Sequence, residues 1–229
     1  KLHITTLCLA ELYTALDSLP DAKKLLNTVD PLLVDASDCE KAPLLALQGW
    51  VSLQLAQTDT VPGVSPTKSH TGIKNIFFAA LKAEEQCKNY QSLSNIYANL
   101  AETAFLEGNF AEAQTWINKA FTVPWRIVLD ELELLNLEAR LALHAGRPDS
   151  ALLSLKKMDD LSRNRLDLKR GLLECTIALG TLESFRALGQ QTAAVSDRVR
   201  ACLENKNGSL SPSDIRNLHN RAKALGIEN

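Results

Sequence analysis

"AFLEGNFAEAQTWINKAFTVPW", Ala104 to Trp125, sets Gly108-Asn109 between two runs of helical periodicity and closes the second run with Pro124. Upstream, Leu93, Ile96, Tyr97, Leu100, Ala101, Ala104 and Phe105 recur at the three- and four-residue steps of an amphipathic helix. Gly and Asn tolerate the left-handed backbone that ends a helix, so Gly108-Asn109 predicts a turn. Ala113, Trp116, Ile117, Ala120 and Phe121 then restart the period, and Val123-Pro124 stops it. Two antiparallel helices of this size cannot bury both faces alone, which calls for stacked neighbours.

The same offsets recur. In "NLEARLALHAGRPDSALLSLKKM", Gly146, Ala151 and Ala139 stand where Gly108, Ala113 and Ala101 stood, each displaced by 38 positions. "CLAELYTALDSLPDAKKLLNTVDP" repeats the pattern through Leu9-Ala10, Tyr13, Ala22, Leu26 and Pro31, with Asp17 as the turn residue. A second unit has Ala42–Ala56 as its first helix, Gly49 at the small position, and Ile73 to about Asn89 as its second, with Ala79, Ala80 and Ala83 as small contacts. Its turn is expanded into an exposed loop over 57–72. A fifth pair is expected over Leu166–Leu179 and Leu182–Leu203 with Gly180 as the turn, the second helix being broken at Gly189. Ser211, Pro212 and Asp214 mark the start of a capping helix over 211–225.

These residues resemble the tetratricopeptide repeat (TPR). The match is fullest at Tyr97, Leu100, Ala101, Gly108, Phe110, Ala113, Ile117 and Ala120; the fourth unit departs at Glu138, where the pattern has Leu. The first half, "AELYTALDSLPDAKKLLNTVDPLL", also resembles the repeats of the fifth subunit of the anaphase-promoting complex, at positions any such array requires. The resemblance implies an all-α, right-handed solenoid of about five helical hairpins plus the capping helix, one domain over 1–229, and a non-enzymatic scaffold that takes a peptide or helix of a partner subunit in its concave groove. Small residues at 101, 113 and 120 would let helices approach closely while larger ones fill between.

Composition limits the alternatives. A net charge of -2 offers no bulk attraction for phosphate backbones or anionic membranes, so neither nucleic acid nor membrane is an expected partner. No apolar run approaches the ~20 residues that span a bilayer. The five cysteines, Cys8, Cys39, Cys87, Cys175 and Cys202, contain no C-x-x-C pair, a pattern of neither disulfide framework nor zinc site, and most of them read as small apolar residues in helices in a reducing compartment. The expectation is a soluble intracellular protein, cytoplasmic or nuclear, and, beginning at Lys1, a piece of a longer chain.

No nucleotide-binding, zinc-protease or nucleophile-elbow motif is present, and no cofactor or catalytic set is expected. His3, His70, His144 and His219 are far apart, and His144 falls in the last turn of a helix, where its charge suits the exposed carbonyls. The carboxylate clamp of chaperone-binding repeats is a poor fit. Asn99 and Arg140 suit it, but Glu102 and Glu133 oppose it. Asn95, Asn99, Glu102, Asn136 and Arg140 remain as candidate groove residues for a different protein ligand. Lys156, Lys157, Arg163, Arg165, Lys169 and Arg170 form a basic run interrupted by Asp159, Asp160 and Asp167, which reads as ordinary surface. Trp116 and Trp125 are either core or a partner-contacting edge. Ser65-Pro66-Thr67-Lys68 has the order read by proline-directed kinases, making Ser65 a candidate phosphosite. The rival function is a regulatory sensor domain of a larger signalling or transcription-regulating protein.

Overall fold

The turn predicted at Gly108 is a helix-ending loop closed by its own backbone. In a computed structural model of the chain, Gly108 has φ +75°, the Asn109 N–H donates to the Ala104 carbonyl at 2.9 Å, and Gly108 N–H donates to Phe105 at 2.9 Å. This left-handed closure satisfies the Ala104 and Phe105 carbonyls and reverses the chain sharply. Gly146, φ +68°, repeats it with Arg147 N–H on the Ala142 carbonyl at 2.8 Å.

The structure describes residues 2–15, 18–29, 36–58, 70–87, 92–124, 126–163, 170–204 and 212–227. These form eleven α-helices and no strand among the described residues: α1 (Leu2–Ala15), α2 (Leu19–Val29), α3 (Asp38–Thr58), α4 (Thr71–Cys87), α5 (Leu93–Leu106), α6 (Phe110–Thr122), α7 (Val128–His144), α8 (Pro148–Ser162), α9 (Arg170–Ala187), α10 (Ala193–Glu204) and α11 (Pro212–Ala224). Consecutive helices pair as five hairpins, α1/α2 through α9/α10, and α11 packs on α9 and α10. The chain divides into two compact units, Lys1–Arg126 and Ile127–Asn229.

In the first unit, hairpin stacks on hairpin. Ala10 of α1, Ala22 and Leu26 of α2, and Leu44 and Val51 of α3 make one core cluster. Ala46 and Leu53 of α3, Phe77 and Ala80 of α4, and Ile96 and Leu100 of α5 make the next. α3 therefore has two apolar faces, one for each neighbouring hairpin. Close approach within α3/α4 depends on Gly49, because a Cβ there would lie 2.6 Å from the Phe77 ring. The anticipated small residues Ala101, Ala113 and Ala120 have no exposed surface, whereas Ala79 lies outward. Arg126 finishes the unit by donating to the Phe121 and Val123 carbonyls, both at 2.7 Å, which satisfies the end of α6.

In the second unit, α8 lies against both α7 and α9. Ala139 and Ala151 are buried as expected. Glu138, the residue at odds with the repeat pattern, accepts a hydrogen bond from the buried Ser154 hydroxyl at 2.7 Å, so the position that would carry Leu carries half of a polar pair joining α7 to α8. Cys175, Leu179 and Leu182 of α9, Val195 and Val199 of α10, and Leu218 and Ala222 of α11 form the core. Arg221 of α11 adds an ion pair to Glu183 of α9 at 3.1 Å.

Two expectations are corrected. Gly180 is not the fifth turn: α9 runs through it, and the chain reverses at Gly189, φ +64°, with Gln190 N–H on the Phe185 carbonyl at 2.9 Å. Gly180 is instead a contact residue, where a Cβ would meet Leu155 Cδ2 at 2.9 Å. The cysteines are not all unpaired either. Cys39 bonds to Cys87 and Cys175 to Cys202, leaving Cys8 free and exposed. Partners 48 and 27 residues apart meet because antiparallel helices bring distant residues together, a pairing no local spacing motif reveals.

Candidate interaction face

α5 supplies three of the residues selected from the sequence. Asn95, Asn99 and Glu102 fall along one side of the helix at three- and four-residue steps. Asn99 is 6% exposed; its Nδ2 donates to the backbone carbonyl and to Oδ1 of Asn95, both at 2.9 Å. Its own carbonyl accepts from the buried Thr103 hydroxyl at 2.7 Å. Glu102 accepts from Gln57 Nε2 of α3 at 3.2 Å. The result is a polar strip that crosses from the first helix of one hairpin to the first helix of the next, its amides and carboxylate already held in place. Gln57 was not singled out from the sequence. It lies at the end of α3, beyond the repeat positions, and only stacking brings it to Glu102.

A second interhairpin contact lies where α4 begins. Lys74 Nζ is 2.8 Å from Glu112 and also pairs with Glu107, with all three side chains mostly buried. The backbone N–H of His70 donates to Glu107 Oε1 at 3.1 Å, so a carboxylate from the end of α5 caps the start of α4. Burial alone would lower the Lys74 pKa, but hydrogen bonds and attraction from Glu107 and Glu112 raise it. Burial would likewise raise Glu112, yet its hydrogen bonds from Lys74, Trp116 and Asn109 hold it below the ordinary carboxylate range. His70 itself is 6% exposed, and its Nδ1 has no hydrogen-bond partner.

Trp116 takes part in both core and surface. Its indole stacks on Tyr97, centroids 5.8 Å apart, and meets Phe78 at 5.9 Å; Nε1 donates to Glu112 at 3.2 Å. Lys119 Nζ sits 4.2 Å from the ring centroid, and Phe78 is 40% exposed. Trp125 lies outside the described residues, as do Ser65 and the rest of 59–69, Asp17, Pro31, Arg165, Lys169 and Ser211.

In the second unit, Asn136 and Arg140 are half-buried and one turn apart on α7, with Leu137 buried and Glu133 exposed beside them. The five selected residues are thus divided: three on α5, tied to one another and to α3, and two on α7. Of the basic run, Lys156 and Lys157 are exposed, while Arg163 pairs with Asp159 and Asp160 of its own helix. His144 is exposed in the last turn of α7. Among the described residues, no group of His, Cys, Asp and Glu is arranged to hold a metal ion, and no helix is long and apolar enough to cross a membrane. Comparison of the chain with protein-family models, with curated proteins and with solved structures gave no match.

Proposed function

We propose that the chain is a TPR-like, non-enzymatic protein-interaction scaffold, and that the polar strip formed by Gln57, Asn95, Asn99 and Glu102 receives an extended peptide or a helix of a partner subunit. One observation carries this reading: the Gln57–Glu102 hydrogen bond links the first helices of two stacked hairpins, which places donors and acceptors in fixed positions across their junction. A surface held in this way loses little conformational freedom on binding, so the ordering cost falls on the ligand. Asn136 and Arg140 would serve the second unit in the same manner.

A photo-crosslinking side chain introduced at position 95 or 102, with one at the exposed Thr115 of α6 as control, tests the reading. The first two should capture the same partner and Thr115 should not. Asn95→Ala with Glu102→Ala should weaken that complex roughly tenfold without changing helical content. Capture at 115 alone, or unchanged affinity in the double variant, would assign binding to another face.

A further inference from the structure

Both cysteine pairs join the two helices of one hairpin at the end away from its turn. Cys39 is the second residue of α3 and Cys87 the last of α4; Cys175 is the sixth residue of α9 and Cys202 the third from the end of α10. Their Cα separations, 5.0 and 5.5 Å, suit a disulfide. Their surroundings differ. Cys39 is exposed and Cys87 half-buried, whereas Cys175 is 2% exposed and packs among Leu179, Val199 and Leu218. Exchange requires a thiolate to reach one sulfur; Cys39 offers that access freely, whereas Cys175 is closed off and Cys202 is half-buried against the same core. Cys39 is also held in place independently of its bond, because Glu40 reaches back to Ser37 at the start of α3, its Oε2 accepting from the Ser37 N–H at 2.9 Å and from the Ser37 hydroxyl at 2.7 Å. The staple closes a 48-residue separation that includes the long connection between α3 and α4, so its loss frees more chain than loss of the 27-residue one.

We propose that Cys39–Cys87 is a reversible redox staple on the open end of α3/α4, and that Cys175–Cys202 is a fixed brace inside the core of the second unit. The reductant is a small dithiol. Its thiolate attacks the Cys39 sulfur, the Cys39–Cys87 bond breaks, and Cys87 leaves as a thiolate that takes a proton. The second thiol then attacks the mixed disulfide on Cys39, releasing the Cys39 thiol and the cyclic disulfide of the reductant. The protein gains two electrons and two protons, and the dithiol loses the same number. A reducing compartment opens the staple while leaving the brace closed.

Differential alkylation of the full chain, read by mass spectrometry, tests this. Air-oxidised native protein should label at Cys8 alone. After mild dithiothreitol without denaturant, Cys39 and Cys87 should label and Cys175 and Cys202 should not; with guanidinium added, all five should. The same mild reduction should lower the thermal midpoint by about 5–10 °C, a shift absent from the Cys39→Ser/Cys87→Ser variant. That variant, checked for helical content by circular dichroism, should label only at Cys8 before reduction. Labelling of Cys39 and Cys87 in the oxidised protein, or release of Cys175 and Cys202 first or together with them, overturns the proposal. So does an equal midpoint shift in the double variant.

Discussion

Gly49 and Gly180 are both places where one helix comes too close to a neighbour for a side chain, but the neighbours differ. At Gly49 a Cβ would press on the edge of the rigid Phe77 ring at 2.6 Å; at Gly180 it would meet the branched tip of Leu155 at 2.9 Å, and both neighbours are buried. Alanine gains about 1 kcal/mol in helix propensity at either site, and overpacking costs about 1–3 kcal/mol. Gly49→Ala should therefore destabilise by roughly 1–2 kcal/mol in urea unfolding, and Gly180→Ala should be close to neutral because a leucine tip can rotate. Equal losses at both sites would show that ring rigidity does not set the difference. Glu84 is the second case at this scale. It is 1% exposed on α4, and burial raises its pKa, only partly opposed by the Ser92 hydroxyl beside it. With the folded value above the unfolded one, the unfolded chain ionises first, so this contribution to stability is complete below about pH 4 and is lost as the pH rises through the folded value. Glu84→Gln should stabilise at neutral pH and lose that advantage in acid, as measured by thermal midpoints across the range.

At the scale of the element, the helices obtain their limits from local chemistry and their positions from neighbours. The turn at Gly108 needs a positive φ, and nothing lies within 4 Å of a Cβ built there, so Gly108→Ala isolates the backbone cost at about 1 kcal/mol. Gly72, in the first turn of α4, has equally open space and no unusual φ; Gly72→Ala should stabilise by about 0.5–1 kcal/mol. Opposite signs for the two substitutions in urea unfolding are the expected result. The turns at Gly108 and Gly146 were legible because each glycine ends an apolar period and each is followed by a fresh one. The fifth was not. A glycine at 180 and another at 189 offer the same local signal; α9 runs through the first, where it packs against Leu155, and the chain reverses at the second.

At the scale of the whole molecule, each compact unit has core clusters of its own, with α1 to α5 sharing two in the first and α9 to α11 sharing one in the second. Fragments 1–126 and 127–229, produced separately, should each show helical circular dichroism and a cooperative urea transition. A fragment that is helical but melts without cooperativity would show that its core is incomplete without the other. The sequence by itself determined the class of the protein. Apolar residues at helical steps, interrupted by Gly-Asn, Gly-Arg and proline, specify helical hairpins because backbone preference and side-chain period are local quantities. It also marked Ala101, Ala113, Ala139 and Ala151 for burial, since small residues at matched offsets have little other use. Only the tertiary structure decided the rest: the Cys39–Cys87 and Cys175–Cys202 pairs, the Glu138–Ser154 hydrogen bond in place of a leucine, and the Gln57–Glu102 link between hairpins. Each joins different helices, and which side chains meet across that distance is set by how the hairpins pack, a quantity that no window along the chain contains.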